Sequence, residues 1–293
     1  MAISRAQLVK ELEPGLNALF GLEYKRYDNQ HAEIYTNESS DRAFEEEVML
    51  SGFANANVKV EGSGVNYDQS QETYTARYTH DTIALAFAIT EEAIEDNLYD
   101  RISSRYTKAL ARSMSNAKQV KAAAPLNNGL PTADNFDSGD GVSLFNTSHT
   151  TVSGTNVKNT LTTQADLNET SLEQALIDIA AFTDERGLRV AAKGVKMIIP
   201  SANQFSAERL LKSQGRTGTA DNDINAVASM GMVPQGYRVN NFLTDSDSWY
   251  IITDCPNGMK MFTRAPLTTA MEGDFDTGNV RYKARERYAF GAS

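Results

Sequence analysis

Residues 90–121, TEEAIEDNLYDRISSRYTKALARSMSNAKQVK, form the longest helical pattern in the chain, and the rest of the sequence is organised around it. Thr90 is placed to cap its N-terminus, Glu91 and Glu92 suit the positive end of the macrodipole, and Lys118 and Lys121 suit the negative end. At about 100° per residue, Leu98, Ile102, Tyr106, Ala109, Ala117 and Val120 fall within one arc, which is the face expected to be buried. Arg101, Arg105, Lys108 and Arg112 make a narrow basic stripe along one edge of that arc. Such stripes are commonly just solvated. A helix of roughly 45 Å, at about 1.5 Å per residue, is long for a domain of this size and predicts a spine.

The 293 residues, 41% of them hydrophobic, suffice for one large or two modest folded domains. A net charge of -10 argues against a dedicated nucleic-acid binder. The one cysteine, Cys255, leaves no internal disulfide framework and fits a reducing compartment. The first residues lack the apolar core of a signal peptide, and no run approaches the roughly 18 apolar residues of a membrane span. A cytoplasmic protein without membrane contact is expected.

Working outward, Ser4 and Gln7 make a capping box before a short helix running to about Phe20, with Leu8, Leu12, Leu16 and Leu19 inward. Pro14 is expected to kink this helix and Gly21 to end it. After a mixed polar stretch, Val58 and Val60 alternate with polar residues before a Gly62, Ser63, Gly64 turn. Tyr74, Ala76 and Tyr78 alternate after it, and Ile83, Leu85, Phe87 and Ile89 follow. The expectation is a long two-stranded hairpin leading into the spine. Such a ribbon is marginal alone, so it is expected to lie on something else.

Residues 122–170 shift to Gly, Asn, Asp, Ser and Thr, the composition of a long polar loop. Ser171 and Gln174 form a second capping box, opening a helix that stops at Gly187. Val195 to Ile199 is a buried-type strand closed by Pro200, and Ser201 to Leu211 is helical. Trp249 to Thr253 and Met259 to Thr263 flank turn residues and predict a hairpin. In the last run, VRYKARERYAFG, Val280, Tyr282, Ala284, Tyr288 and Phe290 share one face, and Arg281, Lys283, Arg285 and Arg287 the other. The overall class is α+β.

Chemistry-bearing constellations are sparse. His31, His80 and His149 lack metal-ligand spacing, and Gly62, Ser63 and Gly64 are a turn rather than a dinucleotide fingerprint. Asp134, Asp137 and Asp140 lack the closing Glu of a calcium loop, and Cys255 has no His beside it. No catalytic residue, cofactor or metal is expected, and the chain is read as a non-enzyme.

The order of parts says more: a coreless arm, a long hairpin, a spine helix, a polar loop, an α/β domain and a returning strand. Pieces that cannot bury themselves point to an oligomer or shell. The segments AFAITEEAIEDNLYDRISSRYTKALARS, LFNTSHTTVSGTNVKNTLT, GVKMIIPSANQFSAERLLKSQGRTGTADNDIN and DSWYIITDCPNGMKMFTRAP through RYKARERYAFG carry a resemblance. In that order they resemble tailed-bacteriophage major capsid proteins of the Hong Kong 97-like fold, particularly the family typified by the phage Mu major head subunit.

The resemblance implies an N-arm at 1–45, an extended E-loop hairpin at 46–80 and a peripheral domain with the spine at 81–125. An axial domain at 126–264 and a final peripheral strand at 265–293 complete it, with the loop from Lys212 to Asp223 as the axial tip. It implies hexamers and pentamers in an icosahedral virion shell around double-stranded DNA, touched weakly and non-specifically, assembled in the host cytoplasm. A separate scaffolding protein and a portal are the implied partners; an encapsulin-type compartment is the alternative. The assembly contacts expected are Glu45, Glu46 and Glu47 at the root of the hairpin, Lys59 within it, and Arg101, Arg105, Lys108 and Arg112 on the spine. Lys59 is the only hairpin lysine in a family where some members crosslink, but no partner for such a bond is matched.

Overall fold

The computed structural model describes residues 5–95, 99–131, 136–216, 223–274 and 276–292, and among these the side chains of 13–93 and from 103 onward. Helix α1 (Arg5–Arg26) leads through a 3-10 turn (Gln30–Glu33) to β1 (Thr36–Ser39). Strands β2 (Phe44–Leu50), β3 (Glu72–Thr79) and β4 (Asp81–Ile89) precede a short helix, α2 (Glu91–Glu95), and the spine, α3 (Tyr99–Asn127). A two-stranded turn, β5 (His149–Thr150) and β6 (Asn156–Val157), opens the following region. It continues with α4 (Glu169–Ala180), β7 (Gly194–Ile199), α5 (Gln204–Lys212), α6 (Ala226–Met230), β8 (Tyr237–Val239) and β9 (Tyr250–Thr253). Two long strands, β10 (Met259–Gly273) and β11 (Val280–Ala292), finish the chain.

Two sheets organise these parts. The first has the order β1-β10-β11-β4, with β1 parallel to β10 and the other pairs antiparallel. Its inner face is set by the alternation of β11: Val280, Tyr282 and Ala284 pack with Met271 against Leu16 and Phe20 of α1 and Leu110, Ala111 and Met114 of α3. The second sheet, β8-β7-β9, is covered by α4 and α5 through Leu172, Leu176, Ala207 and Leu210. Ala122, Leu126, Ile198, Met261 and Tyr288 pack where the two bodies meet.

Several expectations are corrected. Helix α1 runs unbroken past Gly21 to Arg26 despite Pro14; Leu16 and Phe20 are held against the sheet, so tertiary packing outweighs the local penalties. The predicted cap at Ser4 lies outside the described residues, as do the side chains of Leu8 and Leu12. The cap of α4 is Asn168, which accepts from the Ser171 N–H at 2.9 Å, and this helix ends at Ala180 rather than Gly187. The segments around 250 and 260 form no hairpin: β9 pairs with β7, whereas β10 pairs with β11 in the other sheet. The turn between them carries the chain from one body to the other. Likewise β4 does not extend the ribbon of β2 and β3 but becomes the outer strand beside β11.

The spine differs most. The Ala93 N–H lies 3.4 Å from the Thr90 hydroxyl, so Thr90 stands at the start of the short α2 and not of the spine, which begins at Tyr99. The buried row, however, is Ser103, Thr107, Leu110, Met114, Gln119 and Leu126, while Tyr106, Ala109 and Val120 are exposed. Ser103, Thr107 and Gln119 thus share the inward face with the apolar Leu110, Ala111, Met114 and Leu126. Leu98 lies outside the described residues, and so does the side chain of Ile102.

Candidate assembly interface

The hairpin of β2 and β3 is anchored at its root. Tyr78 is 3% exposed and packs on Phe262 of β10 and Ala289 of β11, on the sheet face opposite the helices. Its ring lies 4.8 Å from that of Phe262, and Gly291 lies under the same ring. The acidic run meets partners here. Glu47 pairs with Lys260 and accepts from the Tyr78 hydroxyl at 3.2 Å; Glu46 stands 3.7 Å from Arg77; Glu45 accepts from Ser40 at 2.6 Å. Ser40 also lies 2.8 Å from His80 Nε2, and His80 is the single residue between β3 and β4. These partners of the acidic run lie at the root of the hairpin and on β10, not on the spine stripe.

Beyond the root, the chain from 51 to 71 has no regular strand pairing, and Gly62 turns it with φ of 79°. Asp68 ties its limbs by accepting from the Ala54 and Gln69 N–H groups at 2.7 and 2.9 Å. Arg186 donates to the Gln69 carbonyl at 2.7 Å and Tyr74 to that of Thr150, so the base of this loop touches its own second body. The tip touches little: Val58 is 93% exposed and Tyr67 97%. Lys59 is exposed there too.

Arg105, Lys108 and Arg112 are exposed and make no ion pair among the described residues; the Arg101 side chain lies outside them. Lys108 and Arg112 line a groove of about 550 Å³ between α1 and α3, with Glu23 and Tyr27 opposite. Among the described residues, Arg105, Lys108 and Arg112 are thus left available and the acidic run is occupied.

A buried charge pair escaped the sequence reading. Glu286 stands on the inward side of β11, 2% exposed, with Lys118 at 3.1 Å. Burial pushes its carboxyl pKa up, against the opposing pull of Lys118, and burial likewise raises the phenols of Tyr24 and Tyr288 beside it. A glutamate at an inward position of an alternating strand was the available signal. His31, the other buried ionisable group here, has its pKa lowered to about 4 by burial and by Lys118, although Gln119 binds its ring at 2.9 Å.

Among the described residues no cluster of three or more His, Cys, Asp or Glu side chains is arranged to hold a metal. Asp134 lies outside them, and Asp140 is bound by His149 at 2.7 Å and by Ser138. Of the loop from Lys212 to Asp223, expected as the axial tip, residues 217–222 lie outside them as well. No described helix is long and apolar enough to cross a membrane.

Similarity to known proteins follows the same lines. Among solved structures, the chain is similar to the capsid of an empty GTA particle, at 14% identity and a TM-score of 0.55 over 91% of this chain and 87% of that one. The capsid of a native GTA particle gives 13% and 0.50 over 91% and 88%. A virus-like particle from Pyrococcus furiosus gives 11% and 0.50 over 94% and 92%. At these identities the likeness establishes the Hong Kong 97-like fold. No curated protein matches in sequence. The family model described as phage capsid protein matches residues 73–292, three quarters of the chain, so this chain belongs to the phage capsid protein family.

Proposed function

We propose that the chain is the major subunit of a tailed-phage head, assembling as hexamers and pentamers into an icosahedral shell around double-stranded DNA. The observation that supports this best is the hairpin: an ordered, anchored root carrying a tip whose Val58, Val60, Val65 and Tyr67 are all more than two-thirds exposed. Apolar surface on a fixed stalk is stabilised by covering it, and a repeated copy is the cover a closed shell supplies. Individually weak contacts then sum around the shell.

In this reading residues 1–45 are the arm, 46–80 the E-loop, 81–125 and 265–293 the peripheral domain and 126–264 the axial domain. Arg101, Arg105, Lys108 and Arg112 meet a neighbouring copy or domain, and Glu45, Glu46 and Glu47 fix the angle of the hairpin. A separate scaffold and a portal complete assembly in the host cytoplasm, and the subunit ends in the virion. The charge of -10 suits a container whose wall holds DNA loosely. Electron microscopy of the expressed protein, with and without a candidate scaffold, tests this: closed shells are expected, and monodisperse monomers under all conditions would sink it. Shells that retain a cargo peptide rather than DNA would assign the chain to the encapsulin alternative.

A further inference from the structure

Strand β4 is the outer strand of the first sheet, and nothing pairs with its far edge among the described residues. Soluble proteins protect such edges with Lys, Pro, bulges or short length. Here nine residues, Asp81 to Ile89, carry one charge, at the very start, and their pairing with β11 runs without a bulge. On the sheet face away from the helices, Ala84, Ala86 and Ala88 stand in register with Arg285, Lys283 and Arg281 of β11. The alanines leave room for the long basic side chains to lie across β4 to its free edge. Arg281 is held by Asp274, but Lys283 and Arg285 are exposed and without an ion pair among the described residues. On the helix side of the same edge, Leu85 and Tyr106 are half exposed. The edge therefore presents backbone hydrogen-bonding groups, an apolar lower side and a basic upper side.

The hairpin tip has the complementary pattern. Val65 and Tyr67, 68% and 97% exposed, alternate with Asn66 and Asp68, and no cation stands between 64 and 71. The hairpin root already covers the other half of this sheet face, at Phe262 and Ala289, while the half around Lys283 and Arg285 lies open. We propose that residues 64–68 of a second copy dock on the β4 edge as a fifth strand, with Val65 and Tyr67 over Leu85 and Tyr106, and Asp68 reached by Lys283 and Arg285. The Asp68 carboxylate, although it accepts two backbone N–H groups, has lone pairs left for a cation. This rests on the shell reading above and names the surface that the tip meets.

Cysteine crosslinking tests it in a Cys255→Ser background. Two chains are co-assembled, one carrying Asn66→Cys and the other Ala84→Cys, Ala86→Cys or Ala88→Cys, so that any disulfide joins different copies. In closed shells at least one alanine position is expected to crosslink with residue 66. Tyr67→Cys, facing the other way, should crosslink at least tenfold less. Reversing Lys283 and Arg285 to Glu should cut the yield about tenfold, since each cross-strand charge pair is worth a fraction of a kcal/mol and its reversal costs a similar amount. Shells that form with no crosslink at any of the three positions overturn the docking and leave the shell reading intact. If the Cys255→Ser chain forms no shells, the shell reading fails and the docking with it. Hydrogen exchange on the unsubstituted protein gives an independent readout: the amides of 82–88 should exchange at least tenfold more slowly in shells than in free subunits, and unchanged rates overturn the proposal.

Discussion

The Lys118 ammonium lies 3.1 Å from the Glu286 carboxylate and 5.0 Å from the centre of the Tyr288 ring, joining the spine to the last strand inside the protein. The pair connects elements 168 residues apart, and each member is the other's compensation for burial. Removing one is therefore costlier than the pair is worth.

Lys118→Met should cost about 3 kcal/mol at neutral pH, because it strands Glu286. Burial already raises the Glu286 pKa, so the folded protein holds this proton more tightly than the unfolded chain. Stability from such a group is fully present below its unfolded pKa and is lost as pH rises through the folded one. Relative to wild type, the variant should thus regain stability on acidification, and Glu286→Gln should lack this component of the pH profile over the same window. Urea unfolding of both variants across the acid range checks this.

His31 works in the opposite sense. Its pKa is lowered to about 4, mainly by burial and then by Lys118, so its contribution is present above the unfolded value near 6.5 and is lost as pH falls toward 4. The wild-type protein should lose up to about 3 kcal/mol over that interval. His31→Gln should flatten the profile, and a slope unchanged in the variant would refute the assignment.

At the hairpin root, a Cβ on Gly291 would stand 2.6 and 2.7 Å from Tyr78 ring carbons. Gly291→Ala is expected to displace Tyr78 and cost about 1–3 kcal/mol. Faster hydrogen exchange in 44–50 and 72–79, with the second sheet unaffected, would locate the damage at the anchor.

Charge reversal on the spine separates assembly from folding. Arg105→Glu with Arg112→Glu should leave the folding stability within about 0.5 kcal/mol of wild type, since both side chains are exposed and without an ion pair among the described residues. Shell yield, read by sedimentation, should fall. Undiminished assembly would return the stripe to the status of a solvated surface.

How much was legible in the sequence varied with the kind of signal. The alternation of β11 was plain because period-two patterning assigns every second residue to one side, and Arg281, Lys283 and Arg285 indeed face out. Glu286 broke the pattern at an inward position and went unread. The spine's existence followed from its length, but its buried side did not: Ser103, Thr107 and Gln119 count as polar in any pattern, yet they are buried, Gln119 against His31 and the Asp28 carbonyl. Tyr106 and Val120 were assigned to the core by the same rule and lie outside. The false hairpin at 250–263 arose because turn chemistry at Pro256, Asn257 and Gly258 marks a reversal or a crossing alike. Only long-range pairing, invisible locally, separates the two. For the site, Lys59 and the spine cations were singled out by charge and remain proposals, while the open edge of β4 depends on which strand ends up beside which.

One ordering in the sheet also governs timing. β11 is flanked by β10 on one side and β4 on the other, so among the described residues β4 has no sheet neighbour until residues 280–292 have been synthesised. Contacts of such sequence separation form slowly. The surface bearing Lys283 and Arg285 is absent until that last insertion occurs. On the docking proposed above, a nascent or half-folded chain would lack the edge that the hairpin tip of a neighbour meets, and would acquire it only when β11 inserts beside β4.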